Sequence, residues 1–261
     1  MSDKLFDVSD QIVLVSGGSR GIGRALAQGF AERGAQVIIA GREAASLEQT
    51  AKAISSGAKA VRPLVCDVAK PADVAQLVAK TLADFGRIDT LLSVAGVNKR
   101  MKAERYTTEE YDWIMDINLR GSFILAQAVG QHMLQRNAGA IINIDSLNTY
   151  APLTGVAPYA MSKAGVLMMT RALANEWGPH GVRVNSIAPG FFPTALSEKL
   201  WAQDKMRDWA TNNTPLRRLG DVEELVGAAV FLASQASAFV TGQAIRVDGG
   251  VSAAINWPIE L

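Results

Sequence analysis

Short aliphatic runs alternate along this chain with longer stretches in which apolar positions recur every three or four residues. The first pair is Gln11-Ile12-Val13-Leu14-Val15-Ser16 followed by residues 21–33. A near-continuous apolar run is the mark of a strand covered on both faces, and the three-to-four spacing is that of a helix with one buried stripe. The alternation predicts strands at 11–16, 36–40, 61–66, 88–94, 140–145, 182–188 and 244–247. It predicts helices at 21–33, 44–55, 72–85, 108–135, 159–177, 194–210 and 222–233. The fold class that follows is α/β, a doubly wound, seven-stranded parallel sheet with helices on both faces. No Pro/Gly/Ser-rich linker and no charge block interrupts the rhythm, so residues 1–261 read as a single domain. Two connections, 147–158 and 189–220, are longer than the architecture needs, and each follows the carboxyl end of a strand, where open parallel sheets bind ligands. The second reads as a substrate-binding lid; the alternative is a surface insertion in which Trp201 and Trp209 pack for stability alone.

Composition removes several kinds of chemistry. With 26 Lys and Arg against 25 Asp and Glu the net charge is +1, without the basic excess of a nucleic-acid binder. Cys66 is a single cysteine, and His132 and His180 lie far apart, so neither a disulfide, a metal-ligand spacing nor a histidine-based triad is legible. The first eleven residues are polar and acidic, and no uncharged apolar run is long enough for a membrane span, which points to the cytoplasm.

Candidate chemistry begins where the first strand runs into Ser16-Gly17-Gly18-Ser19-Arg20-Gly21-Ile22-Gly23 and then a helix. Glycines let backbone approach a pyrophosphate, and a helix N-terminus offers it free N–H groups and the positive end of a dipole. A dinucleotide is the expected ligand. The second strand ends Ala40-Gly41-Arg42 with no acid to accept from a ribose 2′-hydroxyl. Arg42 and Arg20 instead suit a 2′-phosphate, which favours NADP over NAD. Against this, Glu43 is within reach of a ribose, and Arg42 has the plainer role of a solvated cation at a helix start. Asp67, followed by Val68, closes the third strand where an adenine would lie; it either accepts from the adenine amino group or caps the next helix.

Tyr159 and Lys163 stand at i and i+4, on one face of the predicted helix. A phenol of ordinary pKa about 10 is a poor base at neutral pH unless a cation stabilises its phenolate. Lys163 is so spaced, and Ser146, at the end of an apolar strand, offers a hydroxyl to a substrate oxygen.

These residues together resemble the short-chain dehydrogenase/reductase family, from Leu5 to Gly250. The family's glycine motif matches Gly17, Gly21 and Gly23, its Ser-Tyr-Lys set matches Ser146, Tyr159 and Lys163, and its catalytic asparagine matches Asn118. The resemblance implies that Asn118 holds a water joining Lys163 to solvent. It also implies cofactor contacts at Ser19, Ile22, Ala95, Gly96, Tyr159, Lys163, Pro189, Gly190 and Thr194; Val247-Asp248-Gly249-Gly250 matches as well. Two departures stand out: Ser93-Val94 replaces the usual Asn-Asn after the fourth strand, and Ser16 replaces a Thr. Lost side-chain hydrogen bonds are expected to loosen that strand end.

Within the family the chain looks most like sugar-acid and polyol dehydrogenases, the gluconate 5-dehydrogenases among them. A sugar-acid carboxylate would suit Lys99 or Arg100, with Asn148 and Thr149 beside Ser146 and Tyr159 available for hydroxyls; solvated loop cations are the alternative. A 3-oxoacyl thioester reductase is the runner-up, with Arg100, Lys102 and Arg105 for an acidic carrier and Glu104, Glu109 and Glu110 against it. A non-catalytic NADP-binding protein is the reading from another class. Consecutive apolar residues at 123–125 and 166–169 suggest subunit contacts as well as sheet packing, although a fully buried helix would look the same. The resemblance implies a homotetramer, and the tail 251–261, with Trp257-Pro258, is available to pack against a neighbouring subunit.

Overall fold

Burial of apolar strands on both faces dictates the architecture. In the computed structural model, which describes residues 4–55, 59–194 and 197–253, all five residues of β1 (Ile12–Ser16) are buried. The strands β2 (Gln36–Gly41), β3 (Arg62–Val65), β4 (Thr90–Ser93), β5 (Gly139–Ile144), β6 (Val182–Pro189) and β7 (Ala244–Val247) join β1 in one sheet. Its order is β3-β2-β1-β4-β5-β6-β7 and every pairing is parallel. The expected fold class is therefore the observed one, with strand ends shifted by one or two residues.

Alternation along the strands divides the core in two. Val13 and Val15 enter a layer with Leu26 and Phe30 of α1 (Gly21–Glu32), Leu47 of α2 (Ala44–Ile54) and Leu232 of α9 (Val226–Ala233). Leu14, between them, enters the opposite layer with Leu77 of α3 (Pro71–Phe85), Leu125 of α5 (Gly121–Arg136) and Val166 of α6 (Ala157–Trp177). The chain winds outward in one direction through β2 and β3 and in the other through β4 to β7, so a crevice opens at the carboxyl ends of β1 and β4.

Three predicted helices take a different form. The stretch 108–135 is α4 (Thr108–Met115), a π-helical turn (Asp116–Arg120) and α5; the N–H of Gly121 reaches back five residues to the carbonyl of Asp116. The stretch 194–210 breaks into α7 (Glu198–Trp201) and α8 (Asp204–Asn213), because the backbone at Gln203 is extended (ψ 116°). The start of 222–233 is a 3-10 turn. In the apolar runs, Leu125, Val166 and Met169 are buried while Phe123 and Met168 are 41% and 59% exposed, so these helices do present apolar surface outward. The expectation for Trp257-Pro258 falls outside the described residues. Among the described residues no helix is long and apolar enough to cross a membrane.

Candidate active site

The loop between β1 and α1 turns through Gly17 and Gly21, whose φ values of 69° and 51° favour glycine. Close approach adds a second demand. A Cβ at Gly17 would lie 2.9 Å from the Ala95 backbone, and one at Gly23 2.1 Å from the Gly17 carbonyl oxygen. Arg20 is the N-cap of α1 and gives no side-chain cap, so the first-turn N–H groups face the crevice unmatched. The crevice encloses about 460 Å³ and is lined by the glycine loop, Ser19, Arg20, Ile22, Arg42, Glu43, Asp67, Val68, Ala95, Gly96 and Thr194. Open glycine cradle, unmatched amides and two cations fit a dinucleotide. Arg20 and Arg42 are exposed and make no ion pair among the described residues. Asp67 lines the crevice while its Oδ1 accepts from Ala69 N–H at 3.1 Å, closing a local turn; the N-cap of α3 is Lys70, which corrects the helix-cap alternative. Pro189 closes β6, and after it Gly190 N–H donates to Val247 O while its missing Cβ makes room for Asp248.

The loosening expected after β4 is absent. The Ser16 hydroxyl accepts from Val94 N–H at 3.0 Å and Ala95 N–H at 3.3 Å, while Val97 N–H donates to Asn118 Oδ1 at 2.7 Å. Asn118 Nδ2 donates in turn to Val97 O and to the Ser162 hydroxyl, so this fully buried side chain clamps the strand end to the π turn and α6.

Tyr159 and Lys163 lie on the first turns of α6. Lys163 Nζ donates to Ile144 O at 2.7 Å and sits 5.8 Å from the centre of the Tyr159 ring. Gly96 leaves the space beside them: a Cβ there would be 3.3 Å from Asn118 Oδ1 and 3.6 Å from Lys163 Nζ. The Ser146 hydroxyl oxygen accepts from both the N–H and the Nδ2 of Asn148, at 3.1 and 3.2 Å. Its acceptor capacity is filled, which leaves its proton for the Tyr159 phenol, whose pKa the serine lowers. The structure thus brings Asn118, Ser146, Tyr159 and Lys163 into one cluster. Burial pushes the phenol of Tyr159 up, opposed by the Ser146 bond and by the Arg100 guanidinium. Burial pulls Lys163 down to about 8, opposed by Asp145.

Two substrate assignments change. Asn148 uses its amide nitrogen on Ser146 and its carbonyl on Leu153 N–H, so it braces the serine instead of offering a free substrate contact. Lys99 is ion-paired with Glu110, and its loop is pinned by the Tyr106 hydroxyl, which donates to Lys99 O and Gly155 O. Arg100 makes no ion pair among the described residues, and its charge lowers the Tyr159 pKa. The 189–220 segment is tied down by Phe191, which stacks edge-on against Trp201 and Trp209, both with centroids 5.6 Å away, and Leu147 joins that cluster next to Ser146. Sequence reasoning missed Ser16, Ser162 and Glu110 as site-building residues; only Ser16, at a strand end beside the glycine loop, carried a visible signal.

A family model described as enoyl-(acyl carrier protein) reductase matches residues 17–252. The chain belongs to the short-chain dehydrogenase/reductase family. It is 41% identical over 251 residues to gluconate 5-dehydrogenase of Gluconobacter oxydans, covering 96% of this chain and 98% of that one. To 5-keto-D-gluconate 5-reductase of Escherichia coli K12 it is 36% identical, with 96% and 99% covered. The crystal structure of a gluconate 5-dehydrogenase from Burkholderia cenocepacia, in complex with NADP and tartrate, superposes with a TM-score of 0.93 at 38% identity, covering 97% of this chain and 99% of that one.

Removing the Asn118 side chain tests the clamp. Asn118→Ala leaves Val97 N–H and O without their partners and is expected to lower unfolding free energy by about 1–3 kcal/mol. Hydrogen exchange at the Val97 amide is expected to accelerate; unchanged exchange there would show that the clamp does not hold the strand end.

Proposed function

We propose that this protein is an NADP-dependent oxidoreductase that moves hydride between the nicotinamide and a secondary alcohol or ketone of a sugar acid, as the gluconate 5-dehydrogenases named above do. The observation that carries the reading is the convergence of Ser146, Tyr159, Lys163 and Asn118 beside Gly96, at the inner end of a glycine-cradled crevice. Residues 1–261 act as one nucleotide-binding domain in which 189–220 is the lid over the substrate.

In alcohol oxidation Tyr159 accepts the hydroxyl proton, while the Ser146 hydroxyl, oriented by Asn148, holds the substrate oxygen. Lys163 stabilises the phenolate by charge. Asn118 holds the Gly96–Val97 strand end in place beside Lys163, and a water held near it would connect the lysine to solvent. The glycine loop, the α1 N-terminus and Thr194 hold NADP, with Arg20 and Arg42 on its 2′-phosphate. NADP supplies the hydride acceptor and, when oxidised, a further positive charge near the phenol. Arg100 anchors the substrate carboxylate, and the tartrate bound by the Burkholderia relative, a dicarboxylate, supports an anionic site. Exposed Phe123 and Met168 on the α5 and α6 surface support self-association, read as a homotetramer, and a lone buried Cys66 suits the cytoplasm.

Three variants check this reading with gluconate, 5-ketogluconate and neutral polyols as substrates. Tyr159→Phe keeps the ring and removes the ionisable oxygen; kcat/KM is expected to fall by about 10²–10⁴-fold with NADP affinity unchanged, and near-normal turnover would refute the mechanism. Arg42→Ala is expected to lower the NADP-to-NAD ratio of kcat/KM by about tenfold, from loss of one charge-assisted bond; an unchanged ratio removes the 2′-phosphate assignment. Arg100→Gln is expected to raise KM for gluconate by about tenfold and leave KM for neutral polyols unchanged, while loss of its charge near the phenol changes kcat for both alike. Equal effects on the two KM values would discard the carboxylate anchor.

A further inference from the structure

One residue before Ser146 lies a carboxylate to which the reaction above gives no task. Asp145 is 1% exposed. Side chains alternate along β5: Ile142 and Ile144 enter the layer of α1 and α9, whereas Ile141 enters that of α5 and α6, and Asn143 donates to the Thr170 hydroxyl of α6 at 2.9 Å. Asp145 continues this second set, on the side of the helix that carries Tyr159 and Lys163. Its Oδ1 accepts from the Thr149 hydroxyl, and its N–H bonds Ile187 O. Oδ2 is buried with no hydrogen-bond partner among the described residues. A carboxylate so placed is tolerated only if positive charge compensates it. The charged and titratable groups around it are Lys163, Arg171 and Tyr159 from α6, and Tyr150 from the turn after Ser146. Lys163 is the closest in chemistry, because its ammonium is bonded to the carbonyl of the peptide that links Ile144 to Asp145.

We propose that Asp145 is a positioning residue whose carboxylate is the built-in counter-charge of Lys163, and that it thereby sets the pH range over which Tyr159 exchanges its proton. The inference rests on the oxidoreductase reading above. A negative charge here favours the protonated form of both neighbours: it offsets the burial that draws Lys163 down to about 8, and it adds to the burial that raises Tyr159. Burial raises Asp145 itself to about 6, partly checked by the Thr149 hydroxyl. The counter-charge is therefore present above that pH and lost below it.

Removing the charge makes both groups easier to deprotonate. In Asp145→Asn the two limbs of the kcat/KM profile for gluconate oxidation are expected to move together to lower pH by about one unit, the order of effect that a unit charge has on a buried neighbour at an effective dielectric of ~20. Wild type and variant are expected to converge below about pH 6. A substrate-free reading is the ¹³Cε resonance of Lys163, assigned by its absence from Lys163→Met, whose titration midpoint is expected to fall by a similar amount. Should Asp145→Asn fail to fold, Thr149→Val keeps the carboxyl, loses its donor and is expected to shift midpoint and limbs the same way by less. Unmoved limbs and an unmoved lysine midpoint, with kcat/KM merely lowered, would overturn the proposal and leave Asp145 a brace for the 147–149 turn. Absence of any NADP-linked turnover in the wild type would instead overturn the oxidoreductase reading, and the lysine midpoint would still decide whether Asp145 is its counter-charge.

Discussion

A lysine held at 4% exposure behind a tyrosine is the demand that most of the neighbouring structure meets. An ammonium taken out of water has to find acceptors, and Lys163 finds one on a strand, the carbonyl of Ile144, at 2.7 Å. β4 ends at Ser93, opposite Asn143, so the next carbonyl of β5 has no strand partner on that side and is left to α6. Packing of Val166 and Met169 into the sheet then fixes the depth of the helix, and one turn before Lys163 the Tyr159 ring stands beside the ammonium. Gly96 completes the arrangement by absence, since a side chain there would press on the ammonium and on Asn118.

The two halves of the crevice are locked to each other by different means. On the β1 side the Ser16 hydroxyl takes two backbone N–H groups from the β4 extension. On the α6 side the π turn sets Asn118 where its amide can both accept from and donate to Val97. An extra residue in a helical turn interrupts the ordinary i to i−4 ladder, and this interruption is what lets a helix side chain substitute for a strand partner at the end of β4. The Ser93-Val94 strand end is thus hydrogen-bonded without the usual asparagine side chains, by the Ser16 hydroxyl at Val94 and Ala95 and by the Asn118 amide, 21 residues beyond Val97.

Nearly all of the sheet was legible in the sequence, because strands covered on both faces must be apolar almost throughout. Helix boundaries were legible where a stripe faced the core and a glycine or proline closed the run. The π turn was not, since one extra residue barely disturbs the spacing of Ile114, Ile117 and Leu125, all buried. The break before Asp204 was hidden because no glycine or proline marks it anywhere between Glu198 and Asn213. The catalytic cluster was legible because Ser146, Tyr159 and Lys163 lie close in sequence. What stayed out of sight was pairing across the fold. Nothing in the run Asn98-Lys99-Arg100 distinguishes its two cations, and only Glu110, brought alongside by the Thr107 capping box at the start of α4, selects Lys99 for itself.

That selection gives the near-zero net charge a spatial meaning. A surface ion pair contributes little to stability, so Lys99 and Glu110 are not there chiefly to hold the loop, which Tyr106 already pins to Gly155. Their effect is to cancel one positive charge and leave Arg100, without an ion pair among the described residues, to act on the phenol. Arg20 and Arg42 are left unpaired in the same way at the other end of the crevice. Positive charge is thus withheld from internal partners at both ends of one cleft, while between them the buried Lys163 is matched internally by the Ile144 carbonyl and the charge of Asp145. The outer cations are free for anions that arrive with ligands. The inner one is compensated in advance, as a group must be if it is to keep its charge out of contact with water.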